Sequence, residues 1–89
     1  MSKMKTSWHE AAWEDYLWWQ TQDRKTLRRI NSLIQDIHRN GYQTTGKPEQ
    51  LHGDLAGWWS VRINQEHRLL FAIEDDVLVI YECRKHYEA

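Results

Sequence analysis

The chain has 89 residues, a single cysteine and a formal net charge of −1. A chain of this length supports one domain, here residues 1–89, and buries only about 60–65 % of its unfolded surface. The near-neutral charge argues against bulk polyanion binding, the lone cysteine excludes an internal disulfide framework, and no apolar run reaches the roughly 20 residues of a membrane span.

The start, Met1-Ser2-Lys3-Met4-Lys5, has no hydrophobic stretch behind it and does not read as a signal peptide. With the unpaired cysteine this leads to an expected cytoplasmic location. Met4–Thr6 is a candidate edge strand. Ser7-Trp8-His9-Glu10 has the form of a capping box, with the Ser7 hydroxyl and the Glu10 carboxylate closing a helix start. A helix is expected from there to about Gln20, with Trp13, Tyr16 and Leu17 as its buried stripe. Trp18 and Trp19 are adjacent and cannot both face one core. At least one is half-exposed or covered by a partner.

Asp23 caps a second helix. Leu27, Ile30, Leu33, Ile34 and Ile37 form its apolar stripe, and Gly41 fits its end. Arg24, Lys25, Arg28, Arg29 and Arg39 load the polar side. Such a stripe is ordinarily solvated surface; the functional alternative is a docking surface for RNA backbone. Residues 40–56 carry almost no periodicity, and long unstructured loops in small domains are often functional. Pro48 restrains the backbone just ahead of Glu49.

Three apolar runs close the chain: Trp58–Ile63, His67–Ile73 and Val77–Arg84. Their short connections require antiparallel pairing. Alternation puts Trp59, Val61 and Ile63 on one face and Trp58, Ser60, Arg62 and Asn64 on the other. In the second run Arg68 lies with Leu70 and Ala72. In the third, Val77, Val79, Tyr81 and Cys83 share a face, opposite Leu78, Ile80, Glu82 and Arg84. Helices first and strands after imply an α+β fold, with two N-terminal helices packed on a twisted antiparallel sheet.

The polar residues left over are Glu49, His52, Arg62, His67, Arg68, His86 and Tyr87. No His or Cys spacing suits a metal, and neither a glycine-rich phosphate loop nor a serine-nucleophile motif occurs. A carboxylate, arginines and histidines fit metal-free RNA cleavage. One group takes the proton of a ribose 2′-hydroxyl, an arginine balances charge on the phosphate, and another group protonates the departing 5′-oxygen. His67 borders the turn, on the opposite parity to Arg68, and reads as structural.

An ordered set of motifs sharpens this reading. It runs from Trp13-Glu14-Asp15-Tyr16 and Arg28-Arg29-Ile30-Asn31 through Gly46-Lys47-Pro48-Glu49-Gln50-Leu51 to Leu55-Ala56-Gly57-Trp58-Trp59-Ser60. It ends in Glu66-His67-Arg68-Leu69 and Cys83-Arg84-Lys85-His86-Tyr87. Over Trp8 to Tyr87 the chain resembles the YoeB-type toxins, the Txe branch of the RelE/ParE superfamily. The resemblance implies a RelE-like ribonuclease fold and a toxin held inactive by a YefM-type antitoxin. It also implies mRNA cleavage in the ribosomal A site without metal or cofactor, leaving a 2′,3′-cyclic phosphate or 3′-phosphate.

By matching position, Glu49 is the implied general base, Arg68 the transition-state stabiliser and His86 the general acid. Arg62, Tyr87, Lys47 and His52 are the implied substrate contacts. A homodimer is implied, with operator DNA bound only through the antitoxin complex. Family members carry lysine where this chain has His52 and a basic residue where it has Val61, and they tend to end at the His-Tyr pair that Glu88 and Ala89 extend here. The rival expectations are a ParE-like gyrase poison and an inactive RNA-binding or repressor subunit.

Overall fold

The computed structural model describes residues 4–85. The stripe read from residues 27–37 is the surface on which the sheet is laid. It belongs to helix α2 (Arg24–Asn40), which Asp23 starts by accepting hydrogen bonds from the Thr26 amide at 3.1 Å and the Thr26 hydroxyl at 2.7 Å. A cap of this kind contributes about 1 kcal/mol. Ile30, Leu33 and Ile37 are fully buried, with Leu27 and Ile34 packed beside them. Gly41 ends the helix at φ +62°, a backbone angle that disfavours any side chain.

The remaining elements are β1 (Lys5–Trp8), α1 (Glu10–Gln22), β2 (Glu49–Gln50), β3 (Trp59–Arg62), β4 (Arg68–Glu74) and β5 (Val77–Glu82). Their order in the sheet is β1-β5-β4-β3-β2. The α+β architecture expected from the sequence is the one that forms. All pairings are antiparallel except β1 with β5, which is parallel and makes the sheet mixed. Val61, Ile63, Leu69, Phe71, Leu78 and Ile80 share one core with the helices. The segment 40–56 is more ordered than its composition suggests. It holds two short 3-10 turns, Gly41–Gln43 and Gly53–Leu55, and the strand β2. Tyr42 closes it onto the sheet, stacking on Trp59 and accepting the Ile73 N–H at 2.8 Å.

Three expectations are corrected. The Ser7–Glu10 capping box does not form, because Ser7 and Trp8 pair with Val79 and Ile80 and the His9 N–H donates to the Ile80 carbonyl at 2.9 Å. Strand pairing takes those residues, and α1 starts after His9 with no side-chain cap. The buried face of α1 is also rotated. Ala12 and Trp19 are buried, whereas Trp13 is 45 % and Leu17 43 % exposed. Hydrogen bonding to Cys83 explains the choice. The Cys83 N–H donates to Asp15, its carbonyl accepts from Trp19 Nε1 at 2.9 Å, and its thiol lies 3.5 Å from the Ala12 carbonyl. Hydrophobicity alone favours 13, 16 and 17, of which Tyr16 does pack against the core; satisfying a buried backbone favours 12, 15 and 19. Of the paired tryptophans, Trp19 is buried and Trp18 is 39 % exposed.

The third correction concerns β5. Leu70 pairs with Glu82 but Phe71 pairs with Ile80, so β5 carries one extra residue, a β-bulge at Tyr81. The bulge flips the alternation, and Cys83 joins Leu78 and Ile80 in the core instead of facing away. The opposite face is not bare, since Leu70 and Ala72 are also buried. The turn from β4 to β5 has Asp75 and Asp76 at φ 50° and 64°, as a tight two-residue hairpin turn requires.

Burial pushes the Cys83 thiol up to about 12 from its usual 9.0, with Asp15 adding to the effect. The native thiol should resist alkylation at pH 8 and react once guanidinium unfolds the chain. The native state holds this proton more tightly than the unfolded one. Stability should therefore fall as pH rises from about 9 towards 12. Mass spectrometry after iodoacetamide checks the first point and denaturation midpoints against pH the second.

Candidate functional site

The register of the sheet assembles the candidate residues. Arg62 of β3 and Arg68 of β4 are direct cross-strand partners, so both lie on the face away from the helices. Ser60 pairs with Leu70 on one side and with Glu49 of β2 on the other, which puts Glu49 on that face too. Glu49 and Arg62 are thus diagonal neighbours, and the arginines are direct ones. Like charges placed opposite each other destabilise a sheet. Among the described residues the one side-chain ion contact is His67 with Glu66, so neither arginine meets a carboxylate there. The face is suited to an anion.

A short turn holds Arg68. The Asn64 side-chain oxygen accepts the Glu66 and His67 amides, each at 2.8 Å, folding residues 64–67 back on themselves. The carbonyls of Asn64 and His67 then accept from Arg68 Nη1 at 2.9 and 3.2 Å. Arg29 crosses from α2 to donate to the carbonyls of Arg62 and Ile63, at 3.2 and 3.4 Å. It is therefore a tether to the end of β3 and not the freely solvated charge its helix position suggests.

The loop bearing Glu49 is anchored at Asp36. That carboxylate accepts from the Thr45 N–H, the Thr44 hydroxyl and the Asn40 amide. The Thr45 N–H first, then the Thr44 hydroxyl, hold Asp36 at about 2, below its usual 3.8. The anchor is complete above pH 3.8 and is lost as pH falls towards 2. Gly46 follows at φ +92°, its carbonyl accepting the Arg62 N–H at 2.8 Å. A Cβ there would sit 2.9 Å from Leu33 Cδ2 and 3.1 Å from Val61 Cβ. Lys47 is exposed, with φ 54°, next to this contact with β3. A small residue at 46 is what lets the chain cross the helix–sheet seam and bring Glu49 beside Ser60, diagonal to Arg62.

The other candidates are placed differently. His52 is exposed at the start of the second 3-10 turn, with no side-chain cap bond. His86 and Tyr87 lie outside the described residues. The chain just before them does reach the site, because the Lys85 carbonyl accepts the Arg68 N–H at 3.0 Å. Asn64, Asp36 and Arg29 were not singled out as positioning residues in the sequence. Asn64 had a signal, since asparagine commonly folds such turns; the partners of Asp36 and Arg29 are visible only in three dimensions. Among the described residues no three His, Cys, Asp or Glu side chains converge to hold a metal ion. A cleft of about 570 Å³ opens between Trp18, Trp19, Gln22 and the 64–67 turn, and neither Glu49 nor either strand arginine lines it. Glu49 and Arg62 are exposed and Arg68 partly so, above the buried Ser60 and Leu70 of the same face, an arrangement better suited to a macromolecule than to an enclosed small ligand.

Residues 8–87 match the family model described as a YoeB-like toxin of a bacterial type II toxin–antitoxin system. The chain is similar to Toxin YoeB of Escherichia coli K12, with 49 % identity over 84 residues, covering 94 % of this chain and 100 % of that one. It superposes on the YoeB/ParE toxin of Agrobacterium tumefaciens with a TM-score of 0.92 at 41 % identity, over 94 % and 100 % of the two chains. Two Staphylococcus aureus structures, a YoeB dimer and a heterotetrameric YoeB–YefM complex, give TM-scores of 0.88 and 0.87. Each is 39 % identical over 97 % of this chain and 100 % of that one.

Gly46→Ala should destabilise the protein by about 1–3 kcal/mol, since it overpacks the seam against Leu33 and Val61. Urea unfolding checks this; an unchanged midpoint would contradict both the tight seam and the strain expected of a side chain at φ +92°.

Proposed function

The chain belongs to the YoeB-like toxins of bacterial type II toxin–antitoxin systems, and on that footing we propose that it is a ribosome-dependent mRNA endoribonuclease. The observation that carries this reading is Glu49 beside the facing pair Arg62 and Arg68 on one open sheet face. Glu49 removes the proton of the ribose 2′-hydroxyl. The 2′-oxygen attacks the adjacent phosphorus, and the bond to the 5′-oxygen of the next nucleotide breaks. Arg68, helped by Arg62, offsets the charge that gathers on the phosphate oxygens. His86 supplies the proton to the leaving oxygen, and Tyr87 with Lys47 and His52 places the strand. The products are a 2′,3′-cyclic phosphate, or the 3′-phosphate after its hydrolysis, and a 5′-hydroxyl.

An open face holds a flexible RNA poorly by itself. Presentation of the codon in the ribosomal A site supplies the alignment that the chain lacks, and proximity of this kind is a large part of many rate enhancements. The cytoplasm is the corresponding location, and no helix among the described residues is long and apolar enough to cross a membrane. The partners are a YefM-type antitoxin, whose acidic segment would complement the arginine face, and a second copy of the chain. Exposed Trp13, Leu17 and Trp18 offer an apolar patch for such assembly. Operator DNA is reached only through the antitoxin complex.

Primer extension on mRNA in a reconstituted translation system, with ribosomes present or omitted, tests the reading. A cut within the A-site codon that needs ribosomes is expected for the parent. His86→Gln and Arg68→Ala should each slow it about a hundredfold or more. Arrest of translation with no cut would move the assignment to a binding-only inhibitor. Poisoned gyrase with translation intact would move it to the ParE-like class.

A further inference from the structure

Residues 83–85, which lead out of β5, are pinned by several contacts. Lys85 sits at φ 85°, in the left-handed region that a lysine side chain disfavours. Strain of this kind persists only where the surroundings impose it. Here the Lys85 N–H donates to His67 Nδ1 at 2.7 Å and the Lys85 carbonyl accepts the Arg68 N–H at 3.0 Å. Two residues earlier, the Cys83 carbonyl accepts from Trp19 Nε1, and the Arg84 guanidinium lies 4.0 Å over the ring of Trp18.

His67 is the centre of this arrangement. Its Nδ1 can accept from an amide only if the ring proton is on Nε2, and Nε2 lies 3.0 Å from a Glu66 carboxylate oxygen that accepts it. The ring meets Trp19 edge-on, with centroids 4.8 Å apart at 85°. The carbonyl of the same residue accepts from the Arg68 guanidinium. We propose that His67 is a positioning residue: through Nδ1 it clamps the Lys85 amide and so fixes the backbone from which His86 and Tyr87 continue, in register with Arg68. One turn thereby sets both the arginine and the chain leading to the acid. The catalytic consequence rests on the nuclease reading above; the clamp itself does not. A displacement of about 1 Å in such a geometry can cost up to a hundredfold in rate.

Two variants separate the clamp from simple packing. His67→Phe keeps a ring against Trp19 and removes the acceptor. His67→Asn gives up the ring but can present an oxygen near the place of Nδ1. Ribosome-dependent cleavage should show kcat about ten- to a hundredfold lower for the Phe variant with KM nearly unchanged, and most of that loss recovered in the Asn variant. Nitrogen-15 NMR on the full parent chain gives a readout independent of activity and of mutant folding. It should find His67 protonated on Nε2 and a coupling across the hydrogen bond between Nδ1 and the Lys85 amide nitrogen. Absence of that coupling, or a folded Phe variant that cuts like the parent, overturns the proposal. A parent that makes no cut sinks the nuclease reading instead, while the coupling still decides whether the clamp exists.

Discussion

Arg62 and Arg68 are held opposite each other by the β3–β4 register, against the preference of two like charges to separate. What holds them is the apolar pairing on the other face. Val61 pairs with Leu69 and Trp59 with Phe71, and Val61, Leu69 and Phe71 are fully buried. Burying one such side chain contributes about 1.5–3 kcal/mol, more than the repulsion of a solvent-facing cationic pair removes. A slip of one residue would send the apolar set to the open face, so the core fixes the register and the register fixes the arginines. The paired arginines are a consequence of core packing on the far side of one sheet.

The rest of the structure brings groups to that pair from both directions. From the N-terminal side, α2 sends Asp36 to the 44–45 loop and Arg29 to the end of β3, and Gly46 lets the loop cross so that β2 adds Glu49 beside Ser60. From the C-terminal side, the bulge in β5 turns Cys83 inward, where α1 satisfies its N–H and carbonyl. The chain then emerges at Lys85 against Arg68. A core of this size has little stability to spare. Several of its hydrogen bonds nevertheless go to fixing two loops and the segment after β5 rather than to regular ladders, which is the pattern of a scaffold organised around one surface.

Much of this was legible in the sequence because it rests on periodicity. The α2 stripe with its Asp23 cap and Gly41 end, the three closing strands and the faces that Arg62 and Arg68 take within their own strands all follow from spacings of 3.6 and 2. Spacing failed where hydrogen bonding or an extra residue decided the outcome. The α1 face was set by the polar groups of Cys83, Ser7 was taken by strand pairing, and the Tyr81 bulge broke an alternation that no local residue announces. The grouping of Glu49 with the arginines needed the β2–β3 pairing, which two exposed residues cannot signal. The roles proposed for Glu49, Arg68 and His86 rest on the ordered family motifs, whereas the positioning parts of Asn64, Arg29 and Asp36 are visible only in the folded chain.

The central claim is that this face turns a ribose 2′-hydroxyl into the nucleophile. The most direct measurement is cleavage of an mRNA carrying a single 2′-deoxynucleotide on the 5′ side of the scissile phosphate, in translating ribosomes, beside the all-ribose message. The account predicts that the all-ribose message is cut, that its upstream fragment ends in a cyclic or 3′-phosphate by mass spectrometry, and that the deoxy message stays whole. Cleavage of the deoxy message at the same site, or an upstream fragment ending in a 3′-hydroxyl, would contradict it.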